Sequence, residues 1–476
     1  MNGARRSRPP TRSALEGACK VLSECVDLKQ HDVLALFWDE TTEETAGIFL
    51  DAASLLSLEV RRRYVTLEAQ ASFSEEAGLS AEDSEALDSA RGIVTCLSNH
   101  VAGTAYRTAL LAAGTVGGKR FGHMPGANLE VLAHAVNINY VEATSRCDDL
   151  ALALTLGEKV RLQTYVFDVD GNRQESYDLH FEIGGLNRSP ITSTGIIPLG
   201  TWGNLPGGET FIAPIEDSAS GVFVLNGAFK NYVISRPGHL LLQFEAGRMV
   251  KVTGTPDEEA AFNKILDYAR ARSDVNYDSL AELGIGVNPG IKELTGNALF
   301  DEKCHGTAHI AIGDSSRYGG KHSSKIHEDL ISHAPSLWVD EQPILDGGDN
   351  AFVSTAWREE LNDWIRDDES IDADSIVTRT TIKAGPGFAG RLRVRRNVTA
   401  GRVCLYTIGE PATGRTLNTI YAAIPAIPQQ IKLQELYRVV GHADPSLAEK
   451  LIDAALRILL RHGLVTVRSN GEVNHV

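Results

Sequence analysis

The sequence predicts an α/β fold in which parallel and antiparallel sheets occupy different parts of the chain. Over residues 1–155, short apolar runs alternate with helical patterns, which is typical of parallel βαβ units. Over residues 156–350 the pattern changes to strands of alternating polarity, which predicts a second, α+β domain. A β-rich stretch at 351–424 and a tail at 425–476 are predicted to form two further small domains.

The N-terminal domain carries clear strand and helix signals. The apolar run DVLALFWD at 32–39 and the run GIVTCLS at 92–98 predict two strands. Between them, Thr41 and Glu44 have the spacing of a capping box and predict that a helix begins there. No glycine-rich phosphate loop follows the first strand, so the sequence does not support nucleotide binding.

The second domain begins with two strands separated by Asp170 and Gly171, a pair that favours a hairpin turn. It ends near Gly348, after VDEQPILDGGDNAF.

The tail resembles a winged helix. Pro425 and Pro428 mark a linker, after which a helix, a turn, a longer helix and a short hairpin are predicted. The longer helix has one apolar stripe and ends at Gly463; the stripe contains Leu447, Leu451, Ala455 and Leu459. Six basic residues against five acidic ones leave a net charge of about +1 in this tail, which favours dimerisation or peptide recognition over DNA binding.

Composition restricts the partners and the compartment. The formal net charge is −16 and the pI is about 5.4, which argues against nucleic acid as a ligand. The six cysteines form no CxxC pair, which favours a reducing cytoplasm. The basic N-terminus has no apolar stretch behind it, and no run of about 18 apolar residues occurs, so we expect neither secretion nor a membrane span.

The segment HIAIGDSSRYGGKHSSKIHED carries the strongest chemical signal, because it places His309, His327 and Asp329 around glycine turns. His327 and Asp329 are two residues apart, so on an extended strand both side chains face the same way. Glu209 and Glu282 lie in two upstream glycine-containing segments. Imidazole and carboxylate donors without thiolate suit zinc, manganese or cobalt. Two such ions about 3.5–4 Å apart would activate a water and polarise a carbonyl, which is the chemistry of amide hydrolysis.

Each of these residues also has an ordinary structural interpretation. A single glutamate is usually solvated, and a histidine in an apolar strand is more often a hydrogen-bonded core residue. His305 and His322 are expected to lie beside the ligands or in solvent, and Cys304 is expected to be a buried bystander. The segment GIGVNPG at 284–290 is interpreted as a turn. Neither the helical zinc-protease motif nor a G-x-S-x-G nucleophile elbow occurs.

Four segments together resemble the metalloaminopeptidases of the aminopeptidase T and aminopeptidase S family. They are NLPGGETFIAP, LAELGIGVNPGI, DEKCHGTAHIAIG and GGKHSSKIHEDLI, and the resemblance covers residues 20–350, most strongly 200–331. It implies an N-terminal α/β domain, a metal-bearing second domain, a homodimer and two divalent ions (zinc, cobalt or manganese) that serve to remove N-terminal residues from peptides. Carried over by position, the implied metal ligands are Glu209, Glu282, His309, His327 and Asp329.

The same resemblance implies that the ligand carboxylates, including Glu209 and Glu282, supply the metal bridge and the base for the attacking water. Tyr318 is the candidate transition-state donor, although it lies nine residues after His309, about two more than the family spacing. The tail from about residue 351 has no counterpart in the ordinary enzymes, which suggests a specialised substrate.

These observations favour a cytoplasmic, homodimeric two-metal aminopeptidase with a peptide substrate and with no nucleic-acid or membrane partner. The unusual tail suggests that this peptide is modified or attached to a carrier. The first alternative is a mononuclear Fe(II) dioxygenase that opens dihydroxypyridine rings, a class implied by the same superfamily and using two histidines and one aspartate. In those enzymes the glutamates are expected to be replaced, so Glu209 and Glu282 favour the peptidase. The second alternative is a non-catalytic regulator with a winged helix on a peptidase core.

Overall fold

The computed structural model describes residues 11–98, 105–183 and 190–350, together with short segments of the remaining chain. These segments are 376–379, 387–389, 392–397, 402–407, 431–443, 456, 465–469 and 472–473. The described helices are α1 (Thr11–Lys20), α2 (Glu43–Leu55), α3 (Leu67–Ala71), α4 (Ala81–Ser89), α5 (Ala105–Gly114), α6 (Tyr140–Leu156), α7 (Pro256–Arg270), α8 (Ala298–Asp301) and α9 (Leu433–Ala443).

The strands of the first 350 residues supply three sheets. They are β1 (Val33–Trp38), β2 (Glu59–Tyr64), β3 (Gly92–Cys96), β4 (Arg120–His123), β5 (Lys159–Phe167), β6 (Arg173–Glu182), β7 (Ile191–Ser193), β8 (Thr201–Asn204), β9 (Glu209–Ile212), β10 (Ser220–Leu225), β11 (Ala228–Phe229), β12 (Tyr232–Val233), β13 (Leu240–Glu245), β14 (Arg248–Gly254), β15 (Leu280–Gly286), β16 (Thr307–Gly313), β17 (His327–His333), β18 (Ser336–Val339), β19 (Gln342–Asp346) and β20 (Asp349–Asn350).

The N-terminal domain is built on a parallel sheet with the strand order β2-β1-β3-β4-β8, and every neighbouring pair in it is parallel. The predicted strands at 32–39 and 92–98 are confirmed as β1 and β3. The strand β8 comes from beyond the predicted boundary at residue 155, so the second region of the chain completes the sheet of the first.

Both faces of this sheet are covered, which explains why β1 is apolar without alternation. Leu34 and Leu36 belong to the core that α1 and α2 cover. The intervening residues Ala35 and Phe37 belong to a separate core under α4 and α5. Successive side chains of a strand point to opposite faces, so one continuous apolar run supplies both cores.

The capping box predicted at Thr41 is wrong. The helix α2 begins at Glu43 with Thr42 as its N-cap residue, and no side-chain hydrogen bond caps it. The Thr41 hydroxyl instead donates to Asp39 Oδ1 at 2.6 Å. Buried Asp39 also accepts a hydrogen bond from the Ser98 backbone N–H at 2.5 Å. The Asp39 carboxylate thus joins the loops at the end of β1, and the Thr41 hydroxyl that binds it does not cap the helix.

The second domain consists of two antiparallel sheets with a shared core. One has the order β14-β13-β10-β6-β5-β18-β19-β20 and the other β12-β11-β17-β16-β15-β9-β7. The core between them contains Phe223 and Phe244 from the first sheet and Leu283 and Ile310 from the second. The hairpin predicted at Asp170 and Gly171 is confirmed, since it joins β5 to β6 and Gly171 has a φ of 86°.

The described parts of the tail form small antiparallel sheets. Their strands are β21 (Ile376–Arg379), β22 (Gly387–Ala389), β23 (Leu392–Asn397), β24 (Arg402–Thr407), β25 (Ile431–Lys432), β26 (Val465–Ser469) and β27 (Glu472–Val473). The strand β21 pairs with both β25 and β26, so hydrogen bonds cross the predicted boundary at 424. The long helix predicted after Pro445 lies outside the described residues apart from Leu456, and the winged helix remains a prediction.

Within the described residues, no helix has the length and apolar character needed to cross a membrane.

The buried histidine at the end of β4 gives stability a pH dependence. His123 is 2% exposed and its Nδ1 lies 2.7 Å from Thr95 Oγ1. Burial, assisted by the positive charge of Arg107, lowers its pKa to about 3. An unfolded chain binds this proton near pH 6.5, so the contribution of His123 to stability is complete above pH 6.5 and declines as the pH falls towards 3.

We therefore predict that the protein loses about 2 kcal/mol of stability through His123 between pH 7 and pH 5. Urea unfolding at both pH values should show a smaller loss in His123→Gln than in the unmodified protein. The exposed strand residue His180 supplies the control, and His180→Gln should keep the full loss. Equal losses in all three proteins would show that His123 is protonated in the folded state.

Candidate metal centre

Four neighbouring strands of one sheet carry all five predicted ligands. Glu209 is on β9, Glu282 on β15, His309 on β16, and His327 and Asp329 are both on β17. The sheet order β17-β16-β15-β9 places these strands side by side. The structure thus brings together three segments that the sequence alone could not show to meet.

Small residues oppose the ligands across the strands. Gly286 pairs with Glu209, and Gly284 pairs with His309. Gly313 pairs with His327, while Ala311 pairs with Asp329 on one side and with Glu282 on the other. At Gly284 an added Cβ would lie 2.1 Å from His309 Nε2. The glycines of GIGVNPG at 284 and 286 therefore lie within β15 and not in the predicted turn. Gly284 leaves room for the His309 ring, whereas Gly286 packs against the backbone of Lys303 and Cys304.

The ligands form two groups of three that share one residue. In the first, His309 Nε2 lies 3.3 Å from Glu209 Oε1 and 3.4 Å from Glu282 Oε1. In the second, His327 Nε2 lies 3.3 Å from Glu282 Oε2 and 3.4 Å from Asp329 Oδ1. The two oxygens of Glu282 therefore face different imidazoles.

These separations suit metal ligands better than hydrogen-bond partners. Donors about 2.0–2.1 Å from a tetrahedral zinc ion are separated by about 3.3 Å, whereas N–H···O bonds are shorter, at about 2.9–3.0 Å. His327 Nδ1 lies 2.7 Å from the Asp314 carbonyl oxygen, which orients the ring and leaves Nε2 facing the carboxylates. The nitrogen and oxygen donors therefore fit divalent ions such as zinc, manganese or cobalt.

The electrostatics of the centre indicate a strong demand for positive charge. Burial opposes protonation of His309 and His327, but their carboxylate neighbours outweigh it and raise the pKa of each imidazole well above its usual value. For Glu282, burial is outweighed by His309 and His327, which lower the pKa of the carboxyl group. Bound metal ions would supply this positive charge in place of the protons on the imidazoles. Protons and metal ions therefore compete for the same groups, so metal affinity should fall as the pH falls.

Two residues of the centre, Glu302 and Lys303, were not predicted. The Lys303 side chain is 1% exposed, and its Nζ lies 3.4 Å from Glu209 Oε2 and contacts Glu302. Glu209 thus presents one oxygen to His309 and the other to an ammonium group. Adjacent opposite charges normally indicate a solvated surface pair, so the sequence offered no signal beyond their place in the DEKCHGTAHIAIG segment.

The other predicted neighbours have different environments. The Tyr318 ring lies 5.3 Å from that of His327 between centroids and lines the same cavity, and burial raises the pKa of its phenol. His305 Nε2 lies 3.5 Å from Asp349, away from the ligand groups, while the His322 backbone contacts Ser315. Cys304 is a buried thiol whose Sγ contacts the Ile291 carbonyl oxygen, and burial raises its pKa to about 12.

The centre opens into a cavity of about 550 Å³. Glu282, His327 and Asp329 line this cavity. Two further lining residues come from the parallel sheet: Pro125 lies just after β4, and Asn204 is the last residue of β8. The carboxyl ends of parallel strands are common ligand sites in α/β proteins. The cavity therefore exposes the candidate metal centre to a small ligand.

A match to a protein family falls on the same residues. Residues 197–334 match the thermophilic metalloprotease (M29) family. This range contains all five predicted ligands as well as Glu302, Lys303 and Tyr318. The match supports a metal-binding peptidase core and leaves most of the chain outside it.

A curated relative has an activity other than peptide hydrolysis. The chain is 25% identical over 163 residues to a 2,5-dihydroxypyridine 5,6-dioxygenase of Pseudomonas putida; the aligned part is 32% of this chain and 45% of that relative. The chain thus spans less than half the length of the curated relative that it matches.

Two solved structures have the same fold. The dihydroxypyridine dioxygenase structure from Pseudomonas putida is 17% identical with a TM-score of 0.55, covering 72% of this chain and 98% of that chain. Wild-type AmpT from Thermus thermophilus is 14% identical with a TM-score of 0.51, covering 72% and 99% respectively. At these identities the likeness shows the fold alone, so the M29 match and the ligand geometry must decide between the two chemistries.

We predict that Gly284→Ala weakens metal binding by about 10–100-fold, because the new methyl group displaces the His309 ring from the ligand group. Titration calorimetry with zinc measures the effect. Gly47 in α2 has no neighbour within 4 Å of an added Cβ, so Gly47→Ala is the matched control and should bind zinc normally. Unchanged affinity in Gly284→Ala would show that His309 is not a ligand.

We predict that Lys303→Met lowers the free energy of unfolding by about 3–5 kcal/mol, because it leaves buried carboxylates without their cation. The double variant Lys303→Met/Glu302→Gln should recover part of the loss, since it also removes one of those carboxylates. Denaturant unfolding measures both, with Lys264→Met on the exposed face of α7 as the control. A loss below about 1 kcal/mol in Lys303→Met would contradict a buried ion pair.

Proposed function

We propose that the chain is a two-metal-ion aminopeptidase that hydrolyses the N-terminal amide bond of a peptide. The observation that carries this proposal is the position of Glu282, whose two carboxylate oxygens each complete a different three-residue ligand group. A carboxylate shared in this way is the bridge that a two-metal site requires. The M29 match over the same residues supports the peptidase class.

Each ion of the proposed pair would have its own ligands. Glu209 and His309 would hold one ion, His327 and Asp329 the other, and Glu282 both. When bound, the two ions lower the pKa of a water molecule and polarise the carbonyl of the scissile bond. Lys303 holds the second oxygen of Glu209, so this carboxylate offers a single oxygen to its ion.

Two further side chains in the cavity wall suit proton transfer and charge stabilisation. Tyr318 keeps its phenolic proton and can donate a hydrogen bond to the oxyanion that forms at the attacked carbonyl. Glu302 lines the cavity but belongs to neither ligand group, so its carboxyl group can take the proton of the attacking water and pass it to the leaving amine. We infer that Glu302 serves here as the base, in place of the ligand carboxylates.

The remaining expectations extend this proposal. We infer a cytoplasmic homodimer that binds neither nucleic acid nor membranes, with the tail contributing to dimerisation or substrate recognition. The pairing of β21 with β25 and β26 affects the test of the tail, because deleting residues 425–476 would break a sheet. A deletion that tests the tail should therefore begin near residue 351.

A second candidate is ring opening by a mononuclear Fe(II) dioxygenase, which the curated dioxygenase relative favours. Its ligands would be His309, His327 and Asp329. In the described residues the ligand groups instead combine each histidine with Glu282, and no group unites the two histidines with Asp329 alone. The retained Glu209 and Glu282 therefore favour the hydrolase.

We predict two divalent ions per chain in protein purified without chelator, and a distinct pattern of loss in three variants. Glu209→Gln and Asp329→Asn should each lose one ion, because each residue belongs to one group, whereas Glu282→Gln should lose both. Elemental analysis measures the ions, and hydrolysis of leucine p-nitroanilide should fall at least about 100-fold in Glu282→Gln.

The control is Glu245→Gln, an exposed position on β13 that should change neither ion content nor activity. One iron ion per chain that survives Glu282→Gln, together with oxygen consumption on 2,5-dihydroxypyridine, would reject the hydrolase in favour of the dioxygenase.

A further inference from the structure

The cavity that contains the metal ligands is also lined by a positively charged side chain. Arg107, on α5 of the N-terminal domain, lines the same cavity as Glu282, His327 and Asp329. Its side chain is half-buried, so any anion that it binds is partly shielded from water. A guanidinium group has five N–H donors in a planar fork, a geometry that matches a carboxylate.

A second guanidinium group strengthens this charge. Burial and the positive charge of Arg317 together lower the pKa of Arg107. Arg317 lies in the turn Ser316–Tyr318, beside the Tyr318 ring that lines the cavity. The neighbouring His123 is neutral at pH 7, because burial and Arg107 lower its pKa to about 3. Arg317 is exposed and does not line the cavity, but its charge adds to the positive potential at Arg107, which favours an anion there.

The cavity also has apolar lining residues. Phe211 and Leu299 line it, and Ile191, Ile196 and Trp202 do so while remaining 39%, 40% and 45% exposed. Exposed apolar side chains around a cavity favour a ligand with apolar groups of its own. The cavity is thus lined by the candidate metal ligands, by apolar side chains and by a guanidinium group.

We propose that Arg107 binds the free C-terminal carboxylate of a short apolar peptide whose N-terminal amide bond lies at the metal centre. This inference rests on the proposed function and specifies its substrate class. A cavity of about 550 Å³ suits a ligand of two or three residues. Such a peptide supplies the carboxylate itself, so a longer chain or a C-terminal amide loses the charge-assisted bond to Arg107.

Binding of uncleavable dipeptide analogues tests the subsite independently of hydrolysis. The probes are dileucine with a CH2–NH group in place of its amide bond, and the same compound with a C-terminal amide. Calorimetry with the metal-loaded protein should give at least about 10-fold tighter binding of the acid than of the amide. In Arg107→Gln this ratio should fall to near one, whereas Arg107→Lys should keep part of it, because it retains the charge.

Arg61→Gln, at an exposed position on β2, is the matched control and should keep the full ratio. An unchanged ratio in Arg107→Gln, or equal affinities in the unmodified protein, would overturn the proposal. A third probe, reduced-bond leucyl-glutamate amide, carries its only carboxylate on the side chain. If this probe binds more tightly than the dileucine acid, the subsite recognises an acidic side chain and the assignment to the C-terminus is wrong.

Hydrolysis of leucyl-leucine and leucyl-leucinamide separates this inference from the proposed function. A carboxylate preference in binding that depends on Arg107, without cleavage of either dipeptide, would support the anion subsite and reject the peptidase. Cleavage of both dipeptides with equal kcat/KM, and no preference in binding, would support the peptidase and reject the subsite.

Discussion

The structure of the second domain depends on one constraint, which is that several charged side chains share the interior of a β-sheet. Glu209, Glu282 and Lys303 are each at most 4% exposed, and His309 is fully buried. Unpaired ions in such a place would cost several kcal/mol each. The cluster is tolerable because every carboxylate faces an imidazole or an ammonium group, and because cations can bind between them. Charge pairing therefore fixes which strands must be neighbours and which positions must remain small.

The connection between the two domains follows from the same requirement. Asn288 is fully buried just after β15, and its side-chain amide donates to the carbonyl oxygens of Ala135 at 2.8 Å and Gly207 at 2.6 Å. It therefore connects the short π-helix Val131–Ala135 of the N-terminal domain to the loop that precedes Glu209. The strand β8, which precedes this loop, pairs with β4 in the parallel sheet. The strand β9, which carries Glu209, follows the loop and pairs with β15. The cavity wall and the metal ligands are thus positioned by one connected piece of backbone.

Much of the site could be predicted because strands have a period of two. His327 and Asp329 were recognised as a pair on that basis, and the glycine-containing segments showed where bulky ligands could fit. Which segments meet could not be read from periodicity and came from the family resemblance. Glu302 and Lys303 were missed because burial, and not residue type, gives them their role. The capping prediction at Thr41 failed because Asp39, a residue bound to distant loops, competes for the same hydroxyl. The addition of β8 to the N-terminal sheet was not predicted, because a strand of four residues is too short to show a clear alternation of polar and apolar side chains.

A two-metal hydrolase and a mononuclear dioxygenase require different numbers of ions, and we infer that in this chain a single carboxylate, Glu282, decides between those numbers. With Glu282 between the imidazoles, His309 and His327 belong to separate ligand groups, each with its own carboxylates. A mononuclear iron site would instead need both imidazoles and Asp329 on one ion, and no ligand group in the described residues has that composition. We therefore infer that the residue at position 282 sets the number of ions that this chain holds. We infer that the glutamate at 282 carries more weight for the function of this chain than fold similarity does, because the fold is shared by both solved structures.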